Sequence, residues 1–308
     1  MNSIKILATG MYLPEKEIDN EYFNKKFELE ENWIYKRTGI EKRYWVGEER
    51  TADLAIKAVE NLISSNDVNL DKIGLIVVAS TNFEDSMPGI SFEIQKKFDI
   101  EKCICMDLLA GCCGYIDAID IARKYIELDD VEEALVIGVE KLSKYLDKND
   151  INTAILLGDG AGATLFGKAE NKMYASNIQS IGQNGDILTS LENQNIQMDG
   201  KKVYKFATTK VSNNIKELLN ETNLEVSQIK YIVPHQSNLK ILQSIEEKIG
   251  ATPEQMYINI SQVGNTFNAS IPIALDEIIK KNLLKENDKI IIVGYGGGLN
   301  LGSILIEI

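Results

Sequence analysis

Histidine is all but missing from this chain: His235 is the only one in 308 residues. Any step that needs an imidazole has a single candidate. Cysteine is scarce and crowded. All four, Cys103, Cys105, Cys112 and Cys113, fall within eleven positions. That is no disulfide framework, and it reads as a reduced, cytoplasmic protein. Their spacing, C-x-C-x6-C-C, lacks the paired C-x2-C of a metal site, so no metal is expected. No apolar run approaches the roughly 20 residues that cross a membrane. The start, Met1-Asn2-Ser3-Ile4-Lys5-Ile6-Leu7, enters a strand-like pattern at once, so no signal peptide is expected. Positive charge is short too: 33 basic residues face 46 acidic ones, a net charge of −13. This argues against general nucleic-acid binding, and an acidic protein partner would need a local basic patch.

What is present is ordinary for a soluble globular protein, 44% hydrophobic and 26% charged. The length allows one large domain or two of usual size. The stretch Asp107-Leu108-Leu109-Ala110-Gly111-Cys112-Cys113-Gly114-Tyr115 stands out. The apolar run Ile104 to Leu109 predicts a buried strand. Tyr115, Ile116, Ala118, Ile119, Ile121, Ala122, Tyr125 and Ile126 recur at helical spacing. The cysteines therefore sit where a strand hands over to a helix. Free N–H groups and the dipole at a helix start favour a thiolate, which suits a sulfur nucleophile. Two small core residues would give the same pattern.

Strand-like and helical segments alternate. Strands are expected at Ile73–Ala79, Ile104–Leu109, Ala134–Val139, Thr153–Leu157 and Ala163–Phe166. Helices are expected at Ser91–Phe98 and Cys113–Glu127. This order predicts an α/β fold. It recurs about 155 residues later. Asp71-Lys72-Ile73-Gly74-Leu75-Ile76-Val77-Val78 resembles Ser227-Gln228-Ile229-Lys230-Tyr231-Ile232-Val233-Pro234; Cys103 corresponds to Met256, and Val136-Ile137-Gly138 to Ile292-Val293-Gly294. Two similar α/β halves are expected, 1–166 and 167–308, joined near Gly167, with ligands bound between them at the carboxyl ends of the central strands. Gly158-Asp159-Gly160-Ala161-Gly162 lies between strand patterns with no helix after it. It is expected to be a tight turn and not a phosphate loop.

His235 follows the strand Tyr231–Val233, a position that suits function. Gly264-Asn265-Thr266 follows an expected strand at Tyr257–Ile260 and holds the place in the second half that Cys112 holds in the first. Tyr295-Gly296-Gly297-Gly298 ends another strand. Its glycines let backbone N–H groups come close to a ligand, as an oxyanion hole requires.

These residues together resemble the β-ketoacyl-acyl-carrier-protein synthase III family, condensing enzymes that initiate type II fatty-acid synthesis. The segments that carry the resemblance are Trp33-Ile34-x-x-Arg37-Thr38-Gly39-Ile40, Ala110-x-Cys112-x-Gly114-Tyr115, Gly158-Asp159-Gly160-Ala161-Gly162-Ala163, Pro234-His235-Gln236-x-Asn238, Gly264-Asn265-Thr266-x-x-Ala269-Ser270-x-Pro272 and Gly296-Gly297-Gly298. The resemblance implies a thiolase-like fold with an αβαβα core. It implies Cys112 as nucleophile, His235 and Asn265 as its partners, and the backbone of Cys112 and Gly297 as oxyanion hole. It places Trp33, Arg37, Met198, Gly200, Tyr204 and Asn238 on the coenzyme A side. It gives Met87 to the partner subunit's acyl pocket and Lys205, Lys240 and Lys248 to carrier-protein docking. It implies a cytoplasmic homodimer that uses acyl-CoA and malonyl carrier protein, with no metal and no cofactor beyond the thioester substrate.

Four positions depart from the family pattern, the first being Met87, which stands where a Phe lines the partner subunit's acyl pocket. Leu109 stands where Asn is usual and Cys113 where Ala is common. Ile151 replaces an Arg that helps clamp the adenine, and Lys148 lies three residues earlier. Three other functions share some of these features: an ester- or amide-forming acyltransferase of the same fold, a Cys-His-Asn hydrolase, and a non-catalytic subunit. Retention of Cys112, His235 and Asn265 together favours condensation.

Overall fold

The computed structural model describes residues 2–84, 87–189 and 196–308. Two sheets dominate it. In the first, the strands run in the order Asn2–Tyr12, Gly160–Glu170, Glu133–Glu140, Ile73–Ala79 and Ile104–Leu108. In the second the order is Tyr231–Pro234, Lys289–Gly296, Asn300–Glu307 and Tyr174–Ser180. Read from opposite ends, both sheets show two antiparallel pairings followed by a parallel one. The first sheet then adds Ile104–Leu108 in parallel. The second adds only a single parallel bridge, Ile232 to Met256. The repeated order in the sequence is thus a repeated topology.

Side-chain alternation explains the layers. Leu75, Val77, Ala134 and Val136 point to one face of the first sheet, and Ile290, Ile292, Ile304 and Ile306 to one face of the second. Between these faces lie the helices Gly114–Glu127 and Ser270–Lys280, with Ile116, Ile119, Leu275 and Ile278 fully or nearly fully buried. The intervening strand residues Ile76, Val78, Leu135 and Ile137 face outward and are covered by the helix Thr51–Ser65. Ile291 and Val293 are covered by Ser212–Thr222 and Leu239–Ile249. Strands buried on both faces read as continuous apolar runs, which is why no polar alternation marks them. The result is the expected αβαβα stack.

Five details differ from expectation. The segment Thr153–Leu157 is no strand: Asp150 caps a short helix, Ile151–Ala154, by accepting from Asn152 N and Thr153 Oγ1, and only Leu157 bridges onward, to Asn265. The expected strand at Tyr257–Ile260 shrinks to the bridge at Met256. Gln236 replaces the ladder, its Nε2 donating to Tyr257 O at 3.1 Å and its Oε1 accepting from Asn259 N at 3.1 Å. Gly167 falls inside the strand Gly160–Glu170, whose pairing with the N-terminal strand continues to Glu170. The halves therefore meet in the segment 171–173. A turn of 3-10 helix, Gly111–Cys113, precedes the helix Gly114–Glu127. Finally, the Gly158–Gly162 segment opens no helix, but neither is it a tight turn between two strands: a short helix precedes it and it is strand from Gly160 on, while its buried Asp159 accepts from Val46 N and Ser143 N.

Candidate active site

Cys112 lies at the carboxyl end of Ile104–Leu108, buried to 3% exposure. Gly111 just before it has φ +56°, and a β-carbon there would fall 2.2 Å from the Gly297 carbonyl oxygen. A β-carbon on Gly296 would fall 2.9 Å from the Cys112 sulfur. Only glycine lets the Gly296–Gly297 turn press against the cysteine turn so closely. This contact brings the backbone N–H of Gly297, with that of Cys112 itself, onto the sulfur.

A side chain from the second half holds the cysteine turn in place. Asn268 accepts from Tyr115 N at 3.1 Å and donates to Gly111 O at 2.9 Å and Glu140 Oε1 at 2.7 Å. Glu140 is fully buried and also accepts from Thr81 N and Thr81 Oγ1. Burial pushes its carboxyl up to about 7, against the pull of those hydrogen bonds.

The sulfur is not a resting thiolate, contrary to the helix-start argument. Burial, with the negative Glu140 adding to it, raises the Cys112 thiol far above its ordinary range; the two amides only partly offset this. Desolvating a full charge outweighs a half-charge at a helix start. Cys113 is completely buried in the central core, and burial raises its thiol as well.

His235 follows Pro234, the last residue of its strand, and its N–H donates to Val293 O at 2.7 Å. The ring is buried, and desolvation lowers its pKa to about 3, so it is neutral at physiological pH. Its Nδ1 lies 2.8 Å from Ser270 Oγ, whose own proton goes to Phe267 O at 2.8 Å. In that arrangement Nδ1 carries the proton and Nε2 offers a lone pair. Asn265 is fixed by backbone bonds to Leu156 and Gly158. Its Oδ1 accepts from Phe267 N at 3.1 Å, which leaves the NH2 end as a donor.

Cys112, His235 and Asn265 line one cavity of about 220 Å³ with Ser237, Tyr295 and Gly296. Arg37, Met198, Gly200, Tyr204, Asn238 and Lys240 line it toward the surface. Asn238 caps the helix Leu239–Ile249 and donates to Arg37 O at 3.2 Å. A second cavity of about 280 Å³ also touches Cys112 and is walled by Thr81, Asn82, Leu109, Tyr145 and Phe267. The sulfur thus stands between two spaces.

Trp33 does not line either cavity; the Arg37 guanidinium lies 4.1 Å over its ring. Lys148 Nζ sits 5.4 Å over the Trp45 ring. Lys205 and Lys248 also lie outside the cavity wall, and Lys248 Nζ donates to Thr208 O at 2.7 Å. Met87 is 88% exposed and lies outside both cavities.

Residues 219–308 match the family model for the C-terminal part of 3-oxoacyl-[acyl-carrier-protein] synthase III, and residues 106–182 match the companion model for the same enzyme. The beta-ketoacyl-[acyl-carrier-protein] synthase III of Clostridium acetobutylicum is 37% identical over 322 residues, covering 100% of this chain and 99% of that one. The chain belongs to the 3-oxoacyl-[acyl-carrier-protein] synthase III family. Among solved structures, the synthase III of Aquifex aeolicus superposes with a TM-score of 0.95 at 31% identity, covering 99% of this chain and 100% of that one. That of Thermus thermophilus gives 0.93 at 33%, with 98% of each chain covered. The protein is accordingly an acyl-transferring condensing enzyme of the thiolase-like fold, and the hydrolase, non-catalytic and ester- or amide-forming readings fall away. Sequence reasoning missed Glu140 and Asn268, and Ser237, Ser270 and Tyr295 were visible only as unassigned letters in motifs.

Proposed function

We propose that this synthase III condenses an acyl-CoA primer with malonyl carrier protein through an acyl-Cys112 intermediate. The neutral His235 takes the thiol proton at Nε2, and the sulfur attacks the primer thioester while the amides of Cys112 and Gly297 hold the oxyanion. The C–S bond to coenzyme A breaks, and its sulfur leaves with a proton from His235. The malonyl thioester then enters. Its carbonyl oxygen receives hydrogen bonds from Asn265 Nδ2 and from His235 Nε2–H. The latter tautomer requires the ring proton to exchange through solvent from Nδ1 to Nε2 between the two half-reactions, after which the Ser270 hydroxyl turns from Phe267 O and donates to Nδ1. The bond to the carboxylate breaks, carbon dioxide leaves, and its electron pair passes into the enolate. That carbon attacks the acyl-cysteine, the C–S bond breaks, and Cys112 leaves as a thiolate that takes one proton from solvent. The charge that develops on each thioester carbonyl meets a group of the chain, and the reading uses no metal and no cofactor beyond the thioesters.

The observation that carries the reading is the orientation of Asn265: its oxygen is spent on Phe267 N, so its NH2 faces the cavity that a neutral His235 shares. In the test, intact mass is followed after incubation with acyl-CoA, then carbon dioxide release from malonyl carrier protein. An acyl adduct on Cys112 followed by a β-ketoacyl product is expected. Release of free acid with no condensation product would sink the reading.

The same proposal includes the assembly. Ile104–Leu108 is an edge strand, and Ile104, Leu109, Phe92 and Met87 expose apolar surface beside it, from 40% to 88%. Such an edge calls for a cover, and a second copy would give Met87 access to the neighbouring acyl space. Among the described residues no helix is long and apolar enough to cross a membrane. We place the enzyme in the cytoplasm, where its thioesters are found, with Lys240 and Lys205 meeting the acidic carrier protein.

A further inference from the structure

Two hydroxyl groups inside the reaction cavity have no role in the steps above. Ser237 Oγ and Tyr295 Oη lie 2.7 Å apart, and both residues line the wall beside Cys112, His235 and Asn265. Each oxygen carries one proton, but the contact between them uses only one. Neither hydroxyl has another partner among the described residues. One O–H donor of the pair is therefore unspent beside the cavity. Tyr295 is 2% exposed, and its ring stands edge-on to His235 at 5.3 Å between centroids.

The position of the pair identifies what it is for. Ser237 N donates to His235 O at 3.0 Å, and Asn265 Nδ2 approaches Ser237 O at 3.5 Å. Ser237 is thus bracketed by the two residues that hold the extender's thioester carbonyl in the proposed reaction, on which this inference rests. The reaction brings three polar groups into the cavity. The primer carbonyl goes to the amides of Cys112 and Gly297, and the extender carbonyl to His235 and Asn265. The third is the extender's carboxylate, only two carbon–carbon bonds from that carbonyl. The cavity wall holds no cation at this depth; Arg37 and Lys240 line it toward the surface. We propose that the Ser237–Tyr295 hydroxyl pair is the seat of the extender's carboxylate, and that it selects a β-carboxyl thioester over an uncharged one of the same length.

A donor placed there has a kinetic signature. The carboxylate gives up its charge as carbon dioxide departs, so a hydrogen bond to it is stronger in the bound extender than in the transition state. Such a contact lowers KM without raising kcat. Tyr295→Phe keeps the ring against His235 and removes the proton. It is expected to raise KM for malonyl carrier protein about tenfold, the usual size of one hydrogen bond to a charged group, with kcat held or increased. Ser237→Ala is expected to do the same to a smaller degree, because an alcohol is a weaker donor than a phenol.

Binding gives a readout apart from turnover. In a Cys112→Ala background, malonyl-CoA should bind about tenfold more tightly than butyryl-CoA by calorimetry, and Tyr295→Phe in that background should abolish the difference. A preference that survives Tyr295→Phe overturns the proposal, as does a fall in kcat with KM unchanged. Failure of the underlying reading is seen separately: wild-type protein that forms no acyl adduct at Cys112 has lost the reaction itself, whatever Tyr295 does. Melting temperatures of both variants within a few degrees of wild type exclude a folding cause.

Discussion

The imidazole of His235 and the hydroxyl of Ser270 meet at 2.8 Å, and that hydroxyl is equally close to the Phe267 carbonyl. Which of the two receives the serine proton goes with whether Nε2 faces the cavity as a donor or as an acceptor. Ser270→Ala removes the choice. We expect decarboxylation of malonyl carrier protein to fall about 10- to 100-fold, with a smaller loss in acylation of Cys112. Carbon dioxide release and intact mass, measured side by side, check this; equal losses in both would contradict it.

Cys112→Ala should form no acyl adduct, whereas Cys113→Ala should form one and lose about 1 kcal/mol of stability for the buried sulfur. Intact mass spectrometry decides the first point and urea denaturation the second. An adduct on Cys112→Ala protein would overturn the assignment of the nucleophile.

Glu140 gives a pH dependence of definite sign. Its carboxyl is raised in the folded protein to about 7 by burial, while the unfolded chain has an ordinary value near 4.3. The folded state therefore holds the proton more tightly. The contribution is fully present below about pH 4 and is lost as pH rises through about 7, a difference on the order of 3 kcal/mol. Glu140→Gln should remove this slope from the stability curve. It should also slow acylation, because the amide cannot accept from Asn268 and Thr81 as the carboxylate does. Urea midpoints at pH 5 and pH 7.5 measure the first effect; the same slope in both proteins would refute it.

Lys240→Glu should raise KM for malonyl carrier protein far more than KM for the acyl-CoA primer, and added salt should narrow the gap. Lys248→Glu should have a weaker effect on docking, since that ammonium is already bound to Thr208 O. Steady-state kinetics at two salt concentrations test both.

Ile151 begins a short helix and packs, half-buried, against the cluster that Trp33 also joins. Ile151→Arg should lower KM for acyl-CoA several-fold, the size of a cation–π or charge contact of about 1 kcal/mol. Acylation from a short pantetheine thioester, which lacks the adenine, serves as the control and should not respond. An unchanged acyl-CoA constant would remove the adenine clamp from this position.

Elements whose pattern is set by burial were legible in the sequence. Ile73–Ala79 has the bounds that its apolar run suggested, and the order of strands repeated as the two halves of the chain did. What failed were segments in which a side chain replaces the backbone ladder. Gln236 bonds Tyr257 and Asn259, and no periodicity announces that. Cys112, His235 and Asn265 were legible by motif because glycine and strand ends frame them, and the cavity brings all three together. Glu140 ends the strand Glu133–Glu140 and drew no reading from the sequence. Its partner Asn268 lies 128 residues later, and no local signal carries such a pairing.

The bond from Asn268 to Gly111 couples the two halves. One copy of the repeat furnishes the sulfur, and the other furnishes the histidine, the asparagine and the clasp that fastens the sulfur's own turn. The copies are no longer interchangeable. A substitution that relaxes the Asn268 loop is felt at the nucleophile on the far side of the repeat, so the two halves must change together.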